Sequence, residues 1–170
     1  MSSSIFEGLK VADFTSNLAA PLVARFLGEA GATVVKVECH KYPDALRTFE
    51  PKDGTPGVDR SVQFAFYFFG KYSISLDMDK PPSREIGKKM VKWADIVVEC
   101  MVPGAMARWG LDYESCRQVK PDIIYLSSLS LGRSGPLSSY AAMGYHHTPL
   151  AGVSNLTGWP DRSACADSLA

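Results

Sequence analysis

Neither sign of charge is in excess in this chain: 18 Lys and Arg stand against 18 Asp and Glu in 170 residues. That balance argues against a nucleic-acid partner or an anionic membrane surface, since both favour a basic excess. No apolar run approaches the ~20 residues of a membrane span. The start, Met1-Ser-Ser-Ser-Ile5, has neither the basic nor the apolar segment of a secretory signal. Cysteine is sparse. Cys39, Cys100, Cys116 and Cys165 lie far apart with no CxxC pair, which excludes the spacing of a zinc site or a small disulfide scaffold. The simplest compartment for such a chain is the reducing cytoplasm. GxGxxG, the P-loop GxxxxGKS/T and the nucleophile elbow GxSxG are all missing. His146-His147 is the one histidine pair, and adjacent side chains point apart, so no metal site is expected there; a polar turn or helix start suffices.

What is present suits a packed domain. Hydrophobic residues make up 46% and aromatics 11%, enough to bury a core and too many for a disordered chain. Five β-rich runs recur: Leu9–Phe14, Thr33–Glu38, Tyr72–Leu76, Ile96–Glu99 and Ile123–Ser128. Helical patterns fall between them. Asn17–Ala30 carries Ala and Leu at helical spacing and meets a stop at Gly31. Ser61–Phe69 is strongly apolar and fits either helix or strand, with helix the preferred reading. Ser83–Ala94 follows two prolines suited to a helix start and shows an apolar face of Ile86, Met90 and Trp93. Tyr113–Val119 is a further short helix. Strands alternating with helices predict an α/β, Rossmann-like parallel sheet with helices on both faces, because parallel neighbours require crossovers. Ligands on such sheets sit beyond the strands' carboxyl ends. Here those ends are Phe14–Asn17, Glu38–His40, Glu99–Pro103 and Ser127–Ser130. The loop from His40 to about Arg60 is long enough to suggest a function or a mobile segment.

Taken singly, the polar residues leave alternatives open. Asp13 either caps the next helix or holds a ligand. Glu38 and Glu99 both end strands and fit structural acceptors, and their spacing alone does not make them an acid/base pair. Lys71 and Arg108 are isolated cations, suited to solvent or to a phosphate.

The order of the segments goes further. Leu9–Pro21, Leu27–Glu38, Gly70–Asp77, Ala94–Glu99, Val102–Gly104, Arg108–Glu114, Pro121–Tyr125, Ser134–Pro136 and Leu156–Gly158 follow one another as in the family III CoA-transferases. The chain resembles the N-terminal part of that superfamily, which includes formyl-CoA transferase, L-carnitine CoA-transferase and α-methylacyl-CoA racemase. The resemblance implies transfer of CoA between an acyl-CoA and a carboxylic acid, with CoA as substrate and no permanently bound cofactor. It implies an interlocked homodimer, or a heteromer with a paralogous subunit. It also implies subunits about twice this length or more, beyond the usual size of one domain. Residues 1–170 are then expected to be the CoA-binding Rossmann-like domain, truncated, with the second small domain absent.

For the CoA site the resemblance points to Asn17, Leu18, Ala19, Glu38, Lys71, Cys100, Met101 and Arg108. Two positions depart from the pattern: Cys39 stands where the family often has Arg, and Cys100-Met101 where it often has Asn-Phe. The nucleophile departs as well. Family transferases attack with an Asp in a Gly-Tyr-Asp or Gly-Phe-Asp motif, whose carboxylate forms a mixed anhydride and then an enzyme–CoA thioester. An ungapped alignment from Gly152 puts Gly144 at that position, and pairing the Gly144-Tyr145 dipeptide with the Gly-Tyr of the motif puts His146 there. Asp167 aligns, with a short deletion, to a downstream Asp used for acid/base work in the racemase branch. The candidate catalytic residues are therefore Asp167 and His146. The expectation is a CoA-transferase or a noncatalytic subunit of one, as in the two-subunit benzylsuccinate type. A racemase or epimerase relative and a CoA-binding protein without catalysis are the alternatives.

Overall fold

Five short runs, with β-branched residues dominant in the second and fourth, form the strands of the computed structural model, which describes residues 4–49, 52–55, 57–140, 142 and 144–163. They are β1 (Lys10–Phe14), β2 (Thr33–Glu38), β3 (Tyr72–Ser75), β4 (Ile96–Glu99) and β5 (Ile124–Ser127). The helices are α1 (Ala19–Glu29), α2 (Val62–Phe68), α3 (Pro81–Trp93), α4 (Ala105–Trp109), α5 (Tyr113–Val119) and α6 (Gly144–Leu150). The described residues fall into two compact units, one reaching Ser128 and the other beginning at Leu129.

In the first unit all strand pairs are parallel, in the order β3-β2-β1-β4-β5. β1 is central, with Val11 beside Val34 of β2 on one side and Ile96 of β4 on the other. Because a strand's side chains alternate, the sheet feeds two apolar layers. Val11, Val34, Ile96 and Val98 pack with Ala24 of α1. Ala12, Phe14, Val37 and Val97 pack on the other face with Val91, Leu111 and Cys116. Helices thus cover both faces, as the alternation of elements predicts. α1 ends where Gly31 takes φ +106°, and the N–H groups of Gly31 and Ala32 close the last turn onto Gly28 and Leu27.

α3 begins with its prolines in the first turn, but its buried stripe differs from the expected one. Gly87 and Val91 are buried, Met90 and Trp93 flank them, and Ile86 is 39% exposed. The cause is close approach: a Cβ on Gly87 would lie 3.0 Å from Leu111 and 3.1 Å from Met78. A count of apolar side chains passes over the glycine on which the helix seats. The expected helix cap at Asp13 is also corrected. α1 starts after Leu18 with no side-chain cap, and Asp13 is fully buried on β1.

The second unit contains α6, with Pro149 inside it, followed by a 3-10 turn at Val153–Leu156. His146-His147 lies in the early part of α6, consistent with a helix start. Among the described residues no helix is long and apolar enough to cross a membrane.

Candidate functional site

The strand order reverses at β1, with β2 and β3 to one side and β4 and β5 to the other. In open α/β sheets that reversal leaves a crevice outside the carboxyl ends. A cavity of about 370 Å³ opens there. Its walls come from Phe14–Asn17 after β1, Lys36–Cys39 on β2, the Tyr42–Ala45 loop, Leu76–Asp79 after β3, and Met101 and Trp109. The first part of the long His40–Arg60 loop, Tyr42–Ala45, thus forms one wall.

Charged groups brace this wall. Lys36 is buried in β2; its Nζ donates to the Thr15 carbonyl at 2.7 Å and lies 3.5 Å from Asp44 Oδ2. Asp44 is buried too, and its carboxylate accepts from the N–H groups of Asn17 at 3.2 Å and Leu46 at 3.0 Å. One ion pair thereby ties the β1–α1 loop to the loop after β2. Glu38 takes a bidentate bond from Arg47, at 2.6 and 2.9 Å, and accepts the Asp44 N–H at 3.0 Å. Burial pushes the Glu38 carboxyl up, but the Arg47 fork and the Asp44 N–H outweigh it and hold the pKa below the ordinary value.

The expected site residues divide. Asn17, Glu38 and Met101 line the cavity. Asn17 adopts φ +63°, which turns the chain from β1 into α1 and aims its N–H at Asp44. Leu18 and Ala19 open α1 outside the cavity wall. Cys100 Sγ accepts the Ser16 N–H at 3.1 Å and holds the β4 end against the β1 loop, and burial pushes its thiol pKa up. Arg108 is exposed on α4, next to Trp109, and forms no ion pair among the described residues.

Lys71 differs most from its expected surroundings. Its ammonium lies 2.8 Å from Asp13 and 2.8 Å from the Pro21 carbonyl, with its side chain 2% exposed. Burial lowers its pKa against the opposing pull of Asp13. The Phe68 ring lies within reach of both ammoniums, 4.2 Å from Lys36 and 4.7 Å from Lys71. Gly144 and His146 belong to the second unit: Gly144 is buried, and His146 is exposed on α6 with an edge contact to Tyr140. Asp167 lies outside the described residues.

Sequence reasoning passed over Lys36, Asp44 and Arg47. The signal was there in part. A lysine inside the apolar run Thr33–Glu38 is rarely buried without a partner. The partner, Asp44, comes from a loop whose path no periodicity predicts.

A family model described as CoA-transferase family III matches residues 6–169. An acetyl-CoA:oxalate CoA-transferase of Acetobacter aceti is 36% identical over 156 residues, covering 92% of this chain and 39% of that protein. Succinyl-CoA:glutarate CoA-transferase of Homo sapiens is 34% identical over 153 residues, covering 89% and 34%. The beta subunit of succinyl-CoA–L-malate CoA-transferase of Chloroflexus aurantiacus is 30% identical over 154 residues, covering 90% and 37%. The chain spans less than two fifths of the length of these relatives. Among solved structures, a CAIB/BAIF family protein from Brucella suis matches with TM-score 0.86 and 32% identity, over 99% of this chain and 44% of that one. A hypothetical protein from Mycobacterium tuberculosis matches with TM-score 0.84 and 28% identity, over 96% and 44%.

Proposed function

The chain belongs to CoA-transferase family III, and from that membership we propose that its cavity takes the nucleotide end of a CoA thioester. The observation that carries this reading is the cavity's place, at the carboxyl ends of the strands where the sheet order reverses. Its lining suits an aromatic base, with Phe14, Leu76, Met78, Met101 and Trp109 supplying apolar surface. At about 370 Å³ it holds one end of so long a ligand and leaves the acyl end outside.

The activity we propose is transfer of CoA between an acyl-CoA and a carboxylic acid, with CoA as substrate and no permanently bound cofactor. Gly144 and His146 bring no carboxylate to α6. That observation favours a role as the noncatalytic subunit, with the covalent step carried by a paralogous partner in a dimer or heteromer. Relatives named as alpha and beta subunits of one transferase support a two-subunit arrangement. The compartment we propose is the cytoplasm, in keeping with free thiols at Cys39, Cys100 and Cys116.

Calorimetric titration of the chain with CoA tests the binding half. Label exchange from succinyl-CoA to oxalate, glutarate or malate, with and without the paralogous subunit, tests the transfer. Binding of CoA with exchange only in the mixture is expected. Absence of CoA binding overturns the reading, and deuterium uptake at the α-carbon of a 2-methylacyl-CoA redirects it to a racemase.

A further inference from the structure

The cavity is lined by four carboxylates, Glu38, Asp44, Asp77 and Asp79, and by one ammonium, Lys36. The charges on β2 are already matched: Lys36 faces Asp44, and Arg47 holds Glu38. The two carboxylates after β3 are not matched in the same way. Asp77 Oδ1 accepts the Asp79 N–H at 3.2 Å, and Lys80, 71% exposed, approaches Asp77 no nearer than 3.9 Å. Two other cations near this rim are Lys41, which lies over the Tyr42 ring and feels the charges of Asp77 and Asp79 through space, and Arg84, whose guanidinium donates to the carbonyls of Met78 and Asp79. None of Lys41, Lys80 and Arg84 lines the cavity, and the residue that follows Glu38 into it is the neutral Cys39.

A phosphate monoester carries about −1.5 to −2 charges at neutral pH. Placed in this cavity it would face the half-buried Asp77 and the exposed Asp79, where like charges near a protein surface repel. A ribose hydroxyl in the same place donates a hydrogen bond to either carboxylate. We infer that Asp77 and Asp79 make the cavity select a nucleoside with free ribose hydroxyls, so that the 3′-phosphate of CoA adds nothing to affinity. This rests on the reading of the cavity as the nucleotide site of a CoA thioester. Dephospho-CoA, which has a hydroxyl in place of the 3′-phosphate, then binds at least as tightly as CoA.

The test is calorimetric titration of the chain with CoA and with dephospho-CoA at low and high salt, repeated on Asp79→Asn and Asp79→Lys. The expected result is dephospho-CoA at or below the Kd of CoA. Added salt should move the ratio toward CoA, because it screens the repulsion. Asp79→Lys should improve CoA relative to dephospho-CoA by about tenfold, the scale of one charge pair near a protein surface, and Asp79→Asn by less. CoA binding more tightly than dephospho-CoA to the unmodified chain overturns the inference and leaves the nucleotide site standing. An unchanged ratio in both variants also overturns it. If neither nucleotide binds, the nucleotide site falls and the inference falls with it.

Discussion

Lys71 and Asp13 stand 2.8 Å apart, with side chains 2% and 0% exposed, so neither charge has water to replace the other. Removing one partner leaves an uncompensated buried charge, which typically costs about 3–5 kcal/mol, whereas replacing both by apolar groups of similar volume is often neutral. Lys71→Ala should therefore lower the stability of the first unit by about 3–5 kcal/mol. Asp13→Leu combined with Lys71→Met should recover only part of that loss, because the Thr15 N–H and hydroxyl, which Asp13 accepts, are left unsatisfied in a buried place. Urea denaturation of the two variants beside the unmodified chain decides the matter; a single variant within ~1 kcal/mol of the unmodified chain contradicts the buried pair. The resemblance points this lysine toward CoA, and in the fold its ammonium is held by Asp13 and the Pro21 carbonyl. Lys71 and Asp13 are 58 positions apart, and only the fold brings them together. Glu38 shows the opposite case. Its place at the end of β2 was legible from the strand pattern, and it does line the cavity.

At the scale of elements, all five strands were legible to within one or two residues from the hydrophobic pattern: β1, β2, β4 and β5 read as short apolar runs, and β3 as an alternation suited to the sheet edge. α1, α2, α3 and α5 were legible for the same reason. α4 was not. It is five residues long, closed at both ends by Gly104 and Gly110 at φ +83° and +67°, and so short a segment has no period to detect. The apolar face assigned to α3 failed at Ile86 because the pattern weighs side chains, while the packing turns on Gly87. Gly31, read as the stop of α1, is the element-scale residue whose role can be measured most cleanly. It holds φ +106°, and a Cβ there would fall 2.4 Å from the Ser4 Cβ. Gly31→Ala should cost about 1–3 kcal/mol through backbone strain at the α1–β2 junction. The slope of unfolding against denaturant should stay the same, since the surface exposed on unfolding does not change. A stability change under ~0.5 kcal/mol, the usual size for a neutral surface substitution, contradicts the role given to this glycine.

At the scale of the whole molecule, a chain that covers 34–39% of these three transferases carries the cavity at the strand ends in its first unit and α6 in its second. Covalent transfer needs a carboxylate that can become an anhydride and then a thioester. The resemblance points for that position to Gly144 or His146, and neither residue carries a carboxylate that could form the anhydride. If the chain acts as the noncatalytic subunit, acyl-CoA should bind without leaving a covalent trace on it. The chain is incubated with succinyl-CoA alone and with the paralogous subunit, then treated with borohydride, which reduces an enzyme–CoA thioester to an alcohol. Hydroxylamine, which converts the thioester to a hydroxamate, serves as the second trap. Mass mapping of the peptides should show the mark on the partner and none on this chain. A mark on Asp167 in the absence of the partner would make that aspartate the nucleophile and the chain catalytic in its own right. Asp167→Asn would then abolish the mark, and the noncatalytic reading would be lost while CoA binding in the first unit stayed as it was.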